Sequence, residues 1–361
     1  MECLDKESKY RAVANELRDN ILSGKYAPGE AFPSVKMLCR RFGVSHLTAV
    51  KVIETLKGMG LVRARNGVGT FVSRRMKSIG LVVPMMQQVE IFPPICHEIS
   101  RLCQEKGIAV DFADISGRAQ EKLGDSVVAT ARRIADSGVS GVIFHPVDFG
   151  SGAAKINGEV EKTFRSAGIP VVLLDSDSDS RSPDRQFDFV GIDNREIGRN
   201  VGLHVLDQGA KNIAFVAWEN MAEARNVVLR LEGLVSAIAT KRSAKLVGKY
   251  IWLRDELRLA QAWRRCLPDA IVCSSDLVAA HVLKLLLKLK KRCPQDVLVT
   301  GVNDVDLAKL VSPPLTTIHQ PCEAIAGTAL EMLLWRIENP SAEPRRIFVA
   351  ANLVVRESTT R

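Results

Sequence analysis

The sequence predicts an α/β protein in which a small helix-turn-helix unit with a β-ribbon precedes a larger domain of parallel sheets flanked by helices. Residues 26–72 combine two short helical segments, a tight turn and a hairpin signal, and apolar runs alternate with helical segments from residue 79 onward. Such alternation is typical of parallel sheets covered by helices on both faces. At 361 residues the chain is too long for one ordinary core, so two or three domains are expected.

The N-terminal unit begins with a helix over about residues 9–23, where Tyr10, Val13, Leu17 and Ile21 recur at helical spacing. Two further helices follow, and each is opened by a serine, Ser34 and Ser45 respectively, whose side chain is expected to cap it.

The third helix is expected to have a packing face and a face toward solvent. Its apolar packing positions are Ala49, Val52, Ile53 and Leu56. Its N-terminal end and opposite face present His46, Leu47, Thr48, Val50 and Lys51. A recognition helix reads base edges in the DNA major groove from these positions. We predict that Ser34, Lys36, Ser45, Asn66 and Gly67 also contact DNA.

A hairpin is predicted after the third helix, because Asn66-Gly67 stands between two β-prone runs. Charge agrees with a DNA-binding unit. Residues 1–78 hold 15 Lys and Arg against 7 Asp and Glu, which is +8 of the +9 carried by the whole chain. A module that neutralises phosphates is expected to concentrate basic residues in this way.

Composition narrows the class of protein. The eight cysteines form no C-x-x-C pair, so neither a zinc site nor a disulfide framework is indicated and a cytoplasmic location is expected. No secretory signal or membrane span is expected, because the N-terminus has no apolar h-region and no apolar run approaches about 18 residues. No P-loop, nucleophile elbow or H-E-x-x-H motif occurs, so no cofactor, no catalytic residue and no metal is predicted.

Residues 175–180 place aspartates at alternate positions, like the start of a calcium loop. Counted from Asp175, the sixth and twelfth places hold Ser180 and Gln186 instead of glycine and glutamate. We therefore interpret this segment as a polar surface loop.

The larger domain is expected to contain seven strands, each an apolar run, with helices between most of them. The predicted strands are Ile79–Val83, Ile108–Phe112, Gly141–Phe144, Val171–Leu174, Ile213–Ala217, Ala270–Cys273 and Val297–Gly301. The 280 or so residues suffice for two lobes, and the cleft between them is the default ligand site, since ligands of open α/β sheets bind at the carboxyl ends of the strands.

The N-terminal unit resembles the winged-helix domain of the GntR family of bacterial regulators over about residues 8–75. The matching residues, in order, are Pro28, Gly29, Pro33, Ser34, Val44, Ser45, Thr48, Gly67, Gly69, Thr70, Phe71 and Val72. The family often has arginine at three DNA-facing positions, which here hold Lys36, His46 and Val50. Valine cannot read guanine but can touch a thymine methyl group, so we expect an operator richer in A·T pairs.

Residues 79–357 resemble the sugar-sensing domain of LacI-type repressors, which is similar to periplasmic sugar-binding proteins. The most specific segment is Pro313-Pro314-Leu315-Thr316-Thr317-Ile318-His319-Gln320-Pro321. The resemblance implies domains at 1–73 and 79–361 with a linker at 74–78. It also implies one lobe at about 79–209 with 318–340, and a second at about 210–317 with 341–361.

The same resemblance implies the effector contacts. Arg230 occupies the arginine of an R-x-x-G motif that grips sugar hydroxyls or a carboxylate, whereas Ser275 and Asn303 replace the usual asparagine and aspartate. Asp193, Glu196, Trp252 and Gln320 are weaker candidates. The prediction is a repressor that binds double-stranded operator DNA as a homodimer under the control of a carbohydrate-like effector. The alternative is a solute-binding or enzymatic two-lobed protein with an accessory basic domain.

Overall fold

The computed structural model folds into two compact units, Met1–Lys77 and Ser78–Arg361, which are called unit 1 and unit 2 below. The residues that it describes are 2–23, 25–27, 29–59, 61–65, 68–72, 78–83, 90–114, 123–148, 152–177, 187–218, 221–222, 224–252, 256–265 and 267–360. The predicted linker lies mostly outside them, and its last residue, Ser78, is the first residue of a strand.

Unit 1 has three helices followed by an antiparallel ribbon. They are α1 (Glu2–Leu22), α2 (Val35–Phe42), α3 (His46–Gly58), β1 (Val62–Arg65) and β2 (Gly69–Val72). The four predicted packing residues of α3 are buried with Leu17 and Leu38 in one apolar core.

Residues 29–32 extend the ribbon. The Gly29 amide donates to the Val72 carbonyl at 3.0 Å, and the Phe32 amide donates to the Thr70 carbonyl at 2.7 Å. Gly29 has φ of 87°, which L-residues with a side chain rarely adopt. The backbone conformation therefore explains why glycine stands at position 29, while Pro28, Asn66 and Gly67 lie outside the described residues.

Unit 2 contains two larger sheets, and every strand pairing within them is parallel. The first sheet has the order β13-β7-β6-β5-β3-β4 and the second has the order β11-β10-β8-β9. Their strands are β3 (Ser78–Val83), β4 (Ala109–Asp114), β5 (Val142–Phe144), β6 (Val171–Leu174), β7 (Asp188–Gly191), β8 (Asn212–Trp218), β9 (Lys245–Trp252), β10 (Ala270–Cys273), β11 (Leu298–Thr300) and β13 (Arg346–Phe348).

Helices flank both sheets. Two short strands, β12 (Thr317–His319) and β14 (Asn352–Val354), form a separate antiparallel pair. The helices are α4 (Phe92–Glu105), α5 (Leu123–Asp136), α6 (Ala153–Ser166), α7 (Asn194–Asp207), α8 (Arg225–Ile238), α9 (Glu256–Arg265), α10 (Asp276–Lys288), α11 (Asp306–Leu310), α12 (Cys322–Glu338) and a 3₁₀ turn at Glu357–Thr359. The predicted fold class is confirmed. No helix in the described part of the chain is both long and apolar enough to cross a bilayer.

The lobe boundaries differ from the sequence-based assignment at two places. Helix α7 packs along α8, so the chain enters the second lobe after β7, at residue 192, instead of near 210. Strand β13 pairs with β7, so residues 346–348 belong to the first lobe instead of the second. Only the segment after β13 returns to the second lobe, where the 3₁₀ turn lies against β11.

A buried ion pair explains why the chain around β13 belongs to the first lobe. The Arg336 guanidinium on α12 donates to both carboxylate oxygens of Asp188 on β7, at 2.6 and 2.8 Å. It also donates to the carbonyl oxygens of Ala342 and Glu343, and the amide of Arg345 donates to Asp188 at 2.7 Å. This network ties the chain after α12 to the first lobe before β13 begins.

Candidate functional site

The exposed end of α3 in unit 1 is the first candidate site, and serine caps shape it. Ser34 accepts a hydrogen bond from the Met37 amide at 3.3 Å, and Ser45 accepts one from the Thr48 amide at 3.2 Å. The Ser45 and Thr48 hydroxyls also lie 2.8 Å apart. Both predicted caps are therefore present, and the Ser45 and Thr48 side chains hold the start of the helix.

Four side chains at the N-terminal ends of α2 and α3 are exposed: Lys36, Met37, His46 and Leu47. Leu47 is 82% exposed and Met37 is 58% exposed. Neither helix has an acidic residue in its first turn, so the partial positive charge of each N-terminus is not neutralised. Each of these helix starts is thus suited to phosphate, with an exposed apolar side chain in its first turn.

Val50 and Lys51 lie one turn further along α3. Val50 is half-buried. Lys51 is exposed, and its Nζ lies 4.3 Å from the centre of the Tyr10 ring on α1. Lys51 is therefore held by a cation–π contact within unit 1. Exposed Met37, in the first turn of α2, is a residue that the sequence analysis missed.

The second candidate site lies where the carboxyl ends of the two parallel sheets of unit 2 meet. Arg230 on α8 is 6% exposed, and its guanidinium donates from Nε to Asn194 Oδ1 at 2.8 Å and from Nη1 to the Ser274 carbonyl at 2.7 Å. Burial lowers the pKa of Arg230, and the carboxylates of Asp175, Asp148 and Asp276 oppose that shift.

Asp276, at the start of α10, is held by two donors. The Thr317 hydroxyl donates to Oδ1 at 2.6 Å and the Val305 amide donates to Oδ2 at 3.1 Å. Burial raises the pKa of Asp276 to about 6, and these two bonds limit the rise. The preceding Ser275 caps α10 by accepting from the Val278 amide at 3.3 Å.

Asn303 links the two lobes. Its Nδ2 donates to Glu90 Oε2 at 3.0 Å, and its Oδ1 accepts from Gln320 Nε2 at 2.8 Å. Asn303 has φ of 125°, an unusual conformation for a residue other than glycine. Burial raises the pKa of Glu90, and the Asn303 bond partly offsets the rise.

Glu90, Asp148, Asp175 and Asp276, with His145, are residues of this site that the sequence analysis did not name as effector contacts. Asp148 and Asp175 come shortly after β5 and β6. Their position at the carboxyl end of a strand is the sequence signal that could have identified them. Asp175 and Ser176 are each 3% exposed, so the interpretation of this segment as a surface loop is wrong for these two residues. Among the described residues, no cluster of three or more His, Cys, Asp or Glu side chains is arranged to hold a metal ion.

Two further predicted effector residues, Asp193 and Glu196, lie at the start of α7. Asp193 and Glu196 are exposed, and Asp193 caps α7 by accepting from the Arg195 and Glu196 amides, both at 3.0 Å. Trp252 pairs through its backbone with Trp218 at the end of β9, and its side chain lies outside the described part of the molecule. The structure therefore brings Arg230, Asn303 and Gln320 together with Asp148, Asp175 and Asp276.

Family comparisons match both units. Residues 9–72 match the bacterial regulatory proteins of the gntR family, and residues 203–359 match the periplasmic binding protein-like domain. The arabinose metabolism transcriptional repressor of Halalkalibacterium halodurans is 25% identical over 98% of this chain and 97% of its own length. The HTH-type transcriptional regulator CelR of Thermobifida fusca is 26% identical over 87% of this chain and 90% of its own length.

Solved structures share the fold. A complex of the transcriptional regulator CelR with cellobiose has a TM-score of 0.65 and 23% identity, covering 91% of this chain and 100% of that one. A LacI family transcriptional regulator from Enterococcus faecium with bound ribose has a TM-score of 0.63 and 21% identity, covering 78% of this chain and 98% of that one. Both resemblances drawn from the sequence are confirmed, and the relatives are regulators rather than enzymes, as predicted.

Proposed function

Since this chain joins a DNA-binding domain of the gntR family to a periplasmic-binding-protein-like domain, we propose that it is a cytoplasmic transcriptional repressor controlled by a small polar effector. The observation that carries the proposal is that two features occur in one chain. The N-terminal end of α3 is exposed and has no acidic residue in its first turn, and a separate domain holds a buried polar cluster between two lobes. The first feature suits operator DNA, and the second suits a ligand with several hydrogen-bonding groups.

The DNA contact is proposed to centre on the start of α3. His46 and Leu47 reach base edges, and the N-terminal amides of α2 with Lys36 reach phosphates. Thr48 contributes from a partly buried position, since its hydroxyl is also bonded to Ser45. Wing residues Asn66 and Gly67 are proposed to contact the sugar-phosphate backbone.

The operator is proposed to be richer in A·T than a guanine-anchored half-site. Met37, Leu47 and Val50 offer apolar surface, which matches the thymine methyl group, and none of them can donate two parallel hydrogen bonds to guanine. Selection of bound sequences from a random library tests this. A fixed guanine opposite Val50 in the selected half-sites would contradict it.

The regulator is proposed to act as a homodimer on an operator with two-fold symmetry, because paired half-sites mirror the symmetry of a dimer. One structural neighbour is a lac repressor dimer bound to operator. The effector is proposed to be a sugar or sugar derivative. In support, one relative is named for arabinose metabolism and two neighbours hold cellobiose or ribose.

The experiment is a pair of titrations with the purified full-length chain. Fluorescence anisotropy with genomic promoter fragments measures the DNA affinity and its salt dependence, which is steep for a protein that neutralises several phosphates. A thermal-shift screen then finds the effector, since a ligand that binds only the folded state raises the melting temperature.

The two ligands are linked in the same model. An effector that weakens DNA binding must itself bind less tightly to the protein–DNA complex, by the same factor. Equal effector affinity with and without operator would contradict control by the effector, and a flat salt dependence would contradict operator binding.

A further inference from the structure

Four carboxylates and one guanidinium form a cluster that joins the lobes of unit 2. Asp148, Asp175 and Glu90 lie at the carboxyl-end face of the first sheet, and Arg230 and Asp276 belong to the second lobe. The fields of Asp148, Asp175 and Asp276 act on Arg230, and the field of Glu90 acts on Asp276. We call these five side chains the acidic cluster.

Two of its four carboxylates already have donors from the protein. Asp276 accepts from the Thr317 hydroxyl and the Val305 amide, and Glu90 accepts from Asn303. These bonds satisfy both oxygens of Asp276 and one oxygen of Glu90.

Asp148 and Asp175 differ in this respect. The Asp148 side chain is 4% exposed and Asp175 is 3% exposed. Asp148 Oδ2 and Asp175 Oδ1 have no hydrogen-bond partner among the described residues. Burial raises the pKa of Asp148, His145 and Arg230 oppose that rise, and the nearby charge of Asp175 adds to it. Two adjacent buried carboxylates thus each present an open oxygen, an arrangement that is costly until a donor arrives.

The hydrogen bonds that Arg230 makes do not go to either of these two open oxygens. Its Nε and Nη1 are used by Asn194 and by the Ser274 carbonyl. His145 Nδ1 donates to the Leu174 carbonyl at 2.8 Å, and its Nε2 lies 3.9 Å from Asp148 Oδ2. Even a protonated His145 leaves two cations against four carboxylates, so the acidic cluster has an excess of negative charge.

We propose that the effector carries an amino group whose ammonium binds between Asp148 and Asp175. The inference rests on the proposed function, since it names the chemical class of ligand for the same cleft. An ammonium group presents three N–H donors and one positive charge, so a single group bonds both open oxygens and reduces the charge excess. A sugar hydroxyl donates one hydrogen bond and brings no charge, and a phosphate or carboxylate adds repulsion to the cluster.

The test compares matched ligands on the full-length chain by thermal shift and then by calorimetry. The panel pairs D-glucosamine with D-glucose, D-galactosamine with D-galactose and D-mannosamine with D-mannose, and adds the 6-phosphates of the neutral sugars. We expect at least one amino sugar to bind about tenfold or more tightly than its neutral parent, because charge-assisted hydrogen bonds are stronger than neutral ones. No phosphorylated sugar is expected to bind more tightly than its parent.

The variants Asp148→Asn and Asp175→Asn test whether the amino group binds at these two carboxylates. Both substitutions keep the side-chain shape, and asparagine tolerates the φ of 59° at position 175. Each is expected to lower the ratio of amino-sugar to parent affinity toward one. Asp207→Asn removes one charge from the surface of the same domain, where Asp207 pairs with Lys241, and is expected to leave the ratio unchanged.

Three results would overturn the proposal: binding of a neutral parent as tight as that of its amino sugar, tighter binding of a phosphorylated sugar, or no binding by any amino sugar. A preference for amines that survives both Asn variants would place the amine elsewhere and overturn the assignment to Asp148 and Asp175. Promoter binding by the ligand-free protein is measured separately. Loss of that binding would refute the proposed function while leaving the affinity ratio interpretable.

Discussion

Gly198 on α7 lies directly against Arg230 on α8: a Cβ atom at position 198 would sit 2.0 Å from the Arg230 carbonyl oxygen. The contact is reciprocal, since a Cβ at Gly233 would sit 1.9 Å from the Arg195 carbonyl oxygen. The two glycines let the helix backbones touch, and this close crossing fixes where the Arg230 side chain enters the cleft. The glycine of the R-x-x-G segment thus has a packing role beside the arginine's polar one.

Gly198→Ala is therefore expected to force α7 and α8 apart. Overpacking of this kind costs about 1–3 kcal/mol of unfolding free energy, and here it also displaces Arg230, so effector affinity falls as well. Urea denaturation and calorimetry measure the two effects. Gly158→Ala on α6 is the matched control, because no atom lies within 4 Å of its added methyl group. That variant is expected to be stabilised by about 0.5–1 kcal/mol, and an equal loss in both variants would contradict the argument.

The sequence predicts the elements whose pattern is local. The runs Val171–Leu174 and Ala270–Cys273 are strands with those same bounds, because they are apolar throughout and buried on both faces. Helix α3 is predicted equally well, since its serine cap and apolar stripe are sufficient to define it. By contrast, β13 depends on the distant pair Asp188–Arg336, and two of its three residues, Ile347 and Phe348, are 40% and 50% exposed. No local pattern marks such a strand.

The site was predictable in part for the same reason. Arg230 and Asn303 follow from motif positions, whereas Asp148 follows β5 and Asp175 follows β6, and they meet only because parallel strands end at one edge. Asp175 was assigned to a surface loop because alternating Asp and Ser residues are typical of solvated segments. Its burial, at 3% exposure, comes from tertiary packing that the segment itself does not encode.

The buried pair of Asp188 and Arg336 is expected to be essential for the first lobe. Asp188→Asn leaves a guanidinium in the interior without its counter-charge, which costs about 3–5 kcal/mol of unfolding free energy. Asp306→Asn is the control, because Asp306 is 91% exposed in its 3.7 Å pair with Lys309, and its cost is expected within about 0.5 kcal/mol. Chemical denaturation of both variants decides, and similar midpoints would contradict a structural role for the buried pair.

Ionisation of Asp276 makes the unfolding free energy depend on pH, in a direction that follows from its raised pKa. Its pKa is raised to about 6 in the folded protein, mainly by burial, so the folded state binds a proton more tightly than the unfolded state. The resulting stabilisation is fully present below the ordinary aspartate pKa and is lost as pH rises through about 6. Relative to Asp276→Asn, the native protein should lose on the order of 2–3 kcal/mol between pH 4 and pH 7. Unfolding free energies across that range test it, and a constant difference would refute the assignment.

Lys36 and Lys57 carry the same charge at different places in unit 1. Lys36 lies in the first turn of α2, whereas Lys57 lies in the last turn of α3. Lys36→Ala is expected to reduce the slope of log affinity against log salt by about 1, because one phosphate contact is lost. Lys57→Ala is expected to leave the slope unchanged. Anisotropy titrations at four salt concentrations measure both, and equal slopes would contradict this orientation on DNA.

Asn303→Asp places a carboxylate oxygen where the amide nitrogen of Asn303 now donates to Glu90 at 3.0 Å. The bond from Gln320 survives, because its acceptor oxygen is retained. The variant therefore isolates the link between the lobes. It is expected to lose about 1.5–3 kcal/mol of unfolding free energy through like-charge repulsion at a partly buried site. Glu90→Gln in the same chain supplies an amide donor to the new carboxylate, so the double variant should recover most of the loss. A double-mutant cycle measures this coupling, and additive losses would show that Glu90 and Asn303 do not act together.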